Sequence, residues 1–445
     1  MSLALSTRRA ALAPGAWVRN ELWRRARAVP SLDLRFADSK SLVDATSGQN
    51  LVTFTRASSG TYVGSDGLIK TATTDTPRFD HNPTTGESLG LLVEEQRTNL
   101  CLQSEDLGTT WTATRATVST NQALSPSGTT TADKVILDST ANNSHFVQIV
   151  PAITANSTIT FSAYAKAAEW QYLRIEILGN VSTGDLLARG FNVSNGTAVS
   201  AGSATGAAVL SSSGIQDAGS GWYRVFMTGT INATDTAVRI RLALGSSTGG
   251  ALVNGDGVSG LFLWGAQLEA GAFPTSYIPT TAATATRSAD VASISGSNFS
   301  SWYRQDEGTV FADIIGFPIA SGQFPRIWEV SDGTSNNLIR LQQYSSNTVR
   351  VSVQAGGVGQ MAQDSGAIAQ GTRGKLSLGV SANDCALVVN AGTPSTDASV
   401  TVPSGITQAT ILGTTGGTSM SNSTIRRLTY WPQRLANNVL QTITQ

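Results

Sequence analysis

Charged residues are scarce in this chain of 445 residues. Asp, Glu, Lys and Arg make up 13% of the sequence, and 30 basic residues balance 30 acidic ones. A nucleic-acid-binding protein would carry a cationic excess, so the balance argues against nucleic acid as a partner of the whole chain. Long apolar runs are missing as well. Because a membrane-spanning helix needs about 18 or more apolar residues in a row, we expect no membrane span.

Cysteine and histidine are almost absent. Cys101 and Cys385 are the only cysteines, 284 positions apart, and we interpret them as buried free thiols rather than as part of a disulfide framework. The two histidines, His81 and His145, have no spacing typical of metal ligands. We therefore expect no metal centre of the zinc type, no histidine-dependent catalytic triad and no cofactor.

Short segments that alternate between apolar and polar residues dominate the sequence. In "YLRIEI", Leu173, Ile175 and Ile177 face one way, while Arg174 and Glu176 face the other. Similar segments recur along the chain, separated by turns rich in Gly, Asn, Ser and Asp. Strands with one apolar face and one polar face at this spacing predict an all-β protein, built of tandem antiparallel β-sandwiches that follow a short N-terminal helical arm.

The segments group into four regions. Residues 1–30 are the arm, residues 31–100 a small β connector, residues 101–280 a first sandwich, and residues 291–445 a second one. The boundary between the sandwiches is placed in "PTSYIPTTAATATRSAD" (274–290), a linker rich in Pro, Thr and Ala. A helix over residues 436–442 is expected to close the chain.

The arm carries six arginines against one acid, Glu21. We expect it to dock on another protein through arginines and tryptophans, namely Arg8, Arg9, Trp17, Arg19, Trp23 and Arg24. A frayed, solvated terminus is the alternative, and binding to nucleic acid or to an anionic membrane surface is a third interpretation.

Three stretches resemble a known family: residues 90–119 with "VEEQRTNL", residues 217–230 with "DAGSGWYRVFMTGT", and residues 261–290 with "LWGAQLE" and "PTSYIPT". They look like the head-spike-fibre type domain of tailed-phage virion appendages. The domain that they enclose resembles jelly-roll carbohydrate-binding modules of the CBM4/9 type. The ending "STIRRLTYWPQRLANNVLQTIT" is similar to the closing strand and helix of a concanavalin-A-like, laminin-G-type sandwich.

The resemblance implies a virion protein, a head or tail fibre or spike, that adheres to host surface polysaccharide. Its partners would then be other virion proteins through the arm, a host glycan, and further copies of itself, since fibres are usually trimers. Two alternatives stay open, which are a structural spacer of the virion that binds no sugar and a polysaccharide depolymerase spike.

Sugar recognition by a β-sandwich needs aromatic faces for stacking, with nearby polar groups for the hydroxyls. In the first sandwich we select Trp170 and Tyr172, with Glu169 and Arg174 as polar partners; packing against the core is the alternative for the aromatics. In the second sandwich we select Trp328 and Asn336. They belong to an Asp/Asn-rich strand end that also contains Asp332, and such a strand end could bind Ca²⁺.

Catalysis is not expected. Glycoside hydrolysis needs two carboxylates held across a cleft, and the adjacent pair Glu94 and Glu95 would face opposite ways in a strand. The sequence contains no phosphate-binding P-loop. We therefore predict a binding protein rather than an enzyme.

Overall fold

The all-β prediction is confirmed by the computed structural model, which describes residues 21–319, 322–344, 347–414, 416–417 and 419–445. Neighbouring strands pair antiparallel, and they form two compact units. The first unit contains the described part of residues 1–55, together with residues 89–95 and 290–445. The second contains residues 56–88 and 96–289.

The elements up to residue 99 are α1 (Glu21–Ala26), β1 (Leu32–Leu34), α2 (Phe36–Ser39), β2 (Thr53–Thr55), β3 (Gly60–Val63), β4 (Ile69–Ala72), β5 (Arg78–His81), β6 (Ser88–Val93) and β7 (Arg97–Asn99). The elements from 112 to 270 are β8 (Thr112–Thr114), β9 (Ala116–Ala123), β10 (Ala132–Leu137), β11 (Phe146–Ile149), β12 (Ile159–Ala167), β13 (Tyr172–Gly179), β14 (Leu186–Asn192), β15 (Thr197–Ala198), β16 (Ser203–Thr205), β17 (Val209–Asp217), β18 (Tyr223–Thr230), β19 (Val238–Leu244) and β20 (Gly260–Ala270).

The remaining elements are β21 (Ala285–Arg287), β22 (Val291–Ser295), α3 (Gly296–Ser300), β23 (Glu307–Ile315), β24 (Arg326–Ser331), β25 (Leu338–Gln343), β26 (Thr348–Ala355), β27 (Val358–Ala367), β28 (Arg373–Ser381), β29 (Asp384–Val389), β30 (Ser395–Asp397), β31 (Gln408–Ile411), β32 (Ser423–Trp431) and α4 (Asn437–Ile443). The predicted closing helix is thus present, one residue further along the chain.

Two facing sheets form the first unit. One contains β30, β29, β28, β23 and β32 in that order, and β6 and β1 both pair with β32. The other has the order β2, β22, β31, β24, β25, β26 and β27. A small cavity is lined by Val310 and Leu378 from the first sheet and by Trp328 and Ile339 from the second, so these side chains meet in the core between the sheets.

The second unit is also a sandwich. One sheet has the order β17, β18, β12, β20, β10 and β9; the other has the order β15, β14, β13, β19, β11 and β8, with β16 beside β14. Leu173, Ile175 and Ile177 of β13 lie in the buried core, as their alternation predicts. Arg115 has a φ of 50° between β8 and β9, and the chain changes sheets at this residue.

Residues 31–100, predicted as a separate connector, contribute segments to both units. The reason is strand pairing: Leu32 of β1 lies opposite Tyr430 of β32, so this early segment completes a sheet of the first unit. The chain passes from the second unit back to the first at two places, and the later of these falls between residues 289 and 290. No helix in the described ranges is long and apolar enough to cross a membrane.

Helix α1 packs on its own unit. Leu22 and Ala26 are buried in a cluster with Leu440 and Ile443 of α4. The Trp23 indole is 1% exposed, and its Nε1 donates a hydrogen bond to Asp33 Oδ2 at 3.0 Å. The prediction that Trp23 contacts a docking partner is therefore corrected, because its apolar surface is already covered.

Asp33 is the most densely bonded carboxylate near this helix, and it is fully buried. It accepts hydrogen bonds from Arg427 Nε and Nη2, both at 2.8 Å, from Arg35 Nε at 2.7 Å and from Thr429 Oγ1 at 2.9 Å. One side chain therefore connects α1, β1 and β32.

We predict that Asp33→Asn lowers the free energy of unfolding by about 3 kcal/mol or more, because the change leaves Arg427 without its buried counter-charge. Asp38→Asn, at an exposed position of α2, is the matched control and should change stability by less than about 0.5 kcal/mol. Urea unfolding followed by tryptophan fluorescence measures both. Equal stability of the two variants would contradict a central role of Asp33.

Candidate functional site

The residues selected in the second unit do not form one site. Glu169 is exposed and pairs with Lys134 Nζ at 2.7 Å, a hydrogen bond that lowers the pKa of Glu169. The Trp170 indole is half-buried against the hydrophobic core, and its Nε1 donates to the Gly245 carbonyl at 3.0 Å. Both side chains are thus held by contacts within the fold.

Tyr172 and Arg174 share the outer face of β13, as their spacing predicts. Arg174 donates from Nε to Glu176 Oε1 at 2.7 Å and from Nη1 to the Gly249 carbonyl at 2.6 Å. Arg241 on β19 donates from Nε to a neighbouring glutamine, Gln148 Oε1, at 2.8 Å. The charged groups on this face are therefore engaged by one another, by an amide or by a loop carbonyl.

The residues selected in the first unit are also placed differently from the prediction. Trp328 is 2% exposed and lies in the core, where a pyranose ring cannot reach its face. Alternation explains this burial, because Trp328 and Val330 share a side of β24 and Val330 is fully buried. Asn336 is exposed in a turn in which Asp332 accepts hydrogen bonds from Thr334 and Asn337. The Asp332 carboxylate therefore finds its hydrogen-bond donors within the turn itself.

Most of the predicted docking residues, Arg8, Arg9, Trp17 and Arg19, lie outside the described residues. Arg24 is exposed on α1. In the part of the chain that the structure describes, no three side chains among His, Cys, Asp and Glu lie close enough together to hold a metal ion. The calcium expectation has no further support in the geometry.

An aromatic pair that was not predicted from the sequence lies beside β24 and β25, in the second of the two sheets of the first unit. Phe324 is 39% exposed, and it is the one exposed aromatic side chain among residues that the structure describes. Its ring stacks on Tyr344, with centroids 4.7 Å apart and planes 11° from parallel. The guanidinium carbon of Arg350 lies 3.6 Å from the centre of the Tyr344 ring. The three side chains form a continuous stacked platform.

Polar side chains continue from this platform across the sheet. The register places Arg326, Gln342, Arg350 and Asp364 side by side on four successive strands, and it places Glu329 opposite Arg340. Because side chains alternate along a strand, these residues share the face that points away from the core. We call this set the aromatic–arginine surface; its members are Phe324, Tyr344, Arg326, Glu329, Arg340, Gln342, Arg350 and Asp364.

Two carboxylates, Glu329 and Asp364, hold the arginine side chains of the aromatic–arginine surface in place. Arg350 binds Asp364 through two hydrogen bonds, Nε to Oδ1 at 2.6 Å and Nη2 to Oδ2 at 2.9 Å. Arg340 Nε donates to Glu329 Oε2 at 2.5 Å, and Arg326 Nε lies 3.6 Å from the same oxygen. Arg326 Nη1 also donates to Gln342 Oε1. The surface thus combines an apolar stacking face with fixed guanidinium donors.

The sequence carried a signal for this surface. Phe324 follows Gly322 and Gln323 and precedes Pro325, so this aromatic residue lies in a loop. Loops run over the surface, so packing in the core does not explain an aromatic residue there. Trp328 was the stronger candidate by sequence because acids and amides follow it. The partner Tyr344 was hidden, since only the pairing of β24 with β25 brings the two rings together.

No family model matches the sequence, and no curated protein matches it. Among solved structures, the chain is similar to the Ruminococcus gnavus IT-sialidase CBM40 bound to alpha2,3 sialyllactose. The sequence identity is 15%, the match covers 32% of this chain and 84% of that chain, and the TM-score is 0.28. Domain 4 of AbnA, a GH43 extracellular arabinanase from Geobacillus stearothermophilus in complex with arabinotriose, is 10% identical, with 40% and 84% covered and a TM-score of 0.28.

A third similar structure is Trypanosoma rangeli sialidase in complex with the inhibitor DANA. It is 11% identical, covers 70% of this chain and 60% of its own, and has a TM-score of 0.28. TM-scores this low carry no argument about function, so the function of the chain has to be inferred from its own residues.

The shared carboxylate of Glu329 gives a stability prediction. Glu329→Gln should lower the free energy of unfolding by about 1 to 3 kcal/mol, because Arg326 and Arg340 then face each other without a counter-charge. Arg326→Gln should cost less, since it removes one of two like charges. Urea unfolding of both variants tests this order, and a larger loss for Arg326→Gln would contradict it.

Proposed function

We propose that this chain binds a glycan through the aromatic–arginine surface and does not cleave it. The observation that carries the proposal is the exposed Phe324 ring, stacked on Tyr344 and continuous with the Arg350–Asp364 pair. Tyr344 supports one face of the Phe324 ring, and the exposed part of the Phe324 ring is an apolar surface accessible to a ligand. The C–H face of a pyranose ring is a suitable partner for such a surface.

The polar part of the surface suits the hydroxyl groups of the same ligand. Arg350 is held by Asp364 and by the Tyr344 ring, so its guanidinium is positioned before a ligand arrives. Preorganised donors reduce the entropy that is lost on binding. Gln342 lies between Arg326 and Arg350 in the sheet register, and its Oε1 accepts a hydrogen bond that positions Arg326. Together these groups supply the few oriented polar contacts that give a binding site its specificity.

Binding without catalysis is proposed because both carboxylates of the surface are engaged. Glu329 accepts a hydrogen bond from Arg340, and Asp364 accepts two from Arg350. A glycosidase needs one carboxyl group that gives a proton to the leaving oxygen. Neither side chain is arranged for that step, since each is bonded to a guanidinium.

The biological setting that we propose is adhesion of a tailed-phage virion to host surface polysaccharide. Its support is the sequence resemblance of residues 90–119, 217–230 and 261–290 to virion appendage proteins. In that setting the chain would be held by other virion proteins and would form a homo-oligomer, for which we propose a trimer. Many copies on one particle would raise a weak single-site affinity by orders of magnitude.

We predict that Phe324→Ala and Tyr344→Ala each weaken glycan binding about tenfold, because the first change removes the ring that stacks on the sugar and the second removes the ring that supports it. Val358→Ala is the matched control: Val358 is an exposed apolar residue at the start of β27 and lies outside the surface. Purified chains presented multivalently on beads are tested on a glycan array and on host cells. Melting temperatures show whether each variant stays folded.

Binding that is lost in both aromatic variants and kept in the control would support the proposal. Binding that survives in both would place the glycan site elsewhere. If the unmodified chain binds no glycan at any bead density, the chain is a structural component rather than an adhesin.

A further inference from the structure

The aromatic–arginine surface carries more positive than negative charge. Among its described residues, three guanidinium groups stand against two carboxylates: Arg326, Arg340 and Arg350 against Glu329 and Asp364. Asp364 is used entirely by Arg350, through two hydrogen bonds. Arg326 and Arg340 therefore share Glu329, and one positive charge on this face has no carboxylate of its own.

The uncompensated charge lies at Arg326. Its side chain is 14% exposed, and its Nε is buried without a hydrogen-bond partner, 3.6 Å from Glu329 Oε2. Loss of water around this guanidinium and the nearby charge of Arg340 together lower the pKa of Arg326 to about 10, although Glu329 acts in the opposite direction. A partly buried cation that lacks a full set of acceptors is costly, and an additional anion would relieve the cost.

The outer face of the second unit provides a useful contrast. There, too, two arginines stand near one carboxylate, Glu176. However, Arg174 also reaches a backbone carbonyl, and Arg241 reaches the Gln148 amide and lies 4.3 Å from the centre of the Phe146 ring. Neutral acceptors complete that network, and no exposed aromatic ring adjoins it. That network therefore lacks the combination found on the aromatic–arginine surface, where an unmatched guanidinium adjoins an exposed ring.

We propose that the glycan bound by the aromatic–arginine surface carries a carboxylate, and that Arg326 and Arg340 bind this group while the sugar ring stacks on Phe324, whose ring is supported by Tyr344. This inference rests on the proposed function. The ligand class is an acidic sugar, because a carboxylate brings one negative charge and can accept hydrogen bonds from two guanidinium groups. A phosphate monoester carries about 1.5 to 2 negative charges and would exceed the single positive charge that is uncompensated.

The test compares matched glycans. An array presents acidic oligosaccharides, the methyl ester of each one, and sulfated and phosphorylated analogues. The unmodified chain should bind the free carboxylates at least about tenfold more tightly than the corresponding methyl esters, since esterification removes the charge and leaves the ring unchanged. This comparison needs no variant, so it does not depend on whether a substituted chain folds.

Two variants assign the preference to residues. Arg326→Gln and Arg340→Gln should each reduce the preference for free carboxylates to about threefold or less, because each change weakens binding of the acids more than binding of the methyl esters. Arg24→Gln makes the same charge change at an exposed residue of α1, and it should keep the full preference. Phe324→Ala should weaken binding of acids and esters alike, because stacking serves both.

The outcomes separate the two proposals. Equal binding of acids and esters, both lost in Phe324→Ala, would overturn the carboxylate inference and leave glycan binding in place. A preference for sulfated or phosphorylated analogues over carboxylates would overturn it as well. No binding to any glycan by the unmodified chain would overturn both proposals.

Discussion

The first unit depends on a junction between the two ends of its chain, and Asp33 is the group that fixes it. The carboxylate is fully buried, so it is tolerable only because Arg427, Arg35, Trp23 and a threonine hydroxyl all donate to it. With β1 held beside β32 in this way, the first sheet is complete at that edge. The facing sheet can then bury Trp328 and expose its other side, where the proposed glycan surface lies.

In a chain with so few charged residues, the arrangement of charges carries information. On the outer face of the second unit the charged groups are paired or are completed by neutral acceptors, as Arg174, Glu176 and Arg241 are. The aromatic–arginine surface differs because an exposed ring, Phe324, adjoins a set of three arginines that has only two carboxylates. An exposed ring and an unmatched, partly buried cation are unfavourable in an isolated protein, and the proposed acidic sugar would cover the first and neutralise the second.

The fold class followed from the sequence because alternation is local: Leu173, Ile175 and Ile177 needed no partner strand to reveal the buried face of β13. The closing helix was predictable for the same reason. The site was not, because its parts meet only through pairing of distant strands, as Phe324 and Tyr344 do. The acidic and amide neighbours of Trp328 suggested a binding site. However, Trp328 shares a side of its strand with Val330, and this alternation already indicated that Trp328 is buried. The burial of Trp23 likewise depends on Asp33 and α4, which local patterns do not reveal.

The order of segments along the chain also sets an order of folding. The second unit is contained in residues 56–88 and 96–289, so all its strands are available once about two thirds of the chain has been synthesised. The first unit has to wait, because β1 and β6 pair with β32, and Asp33 meets Arg427 across 394 positions of sequence. Closing so long a loop is slow, and until it closes the apolar strands near the start of the chain stay uncovered. Chaperones that shield these strands during synthesis would therefore have their greatest effect on the first unit.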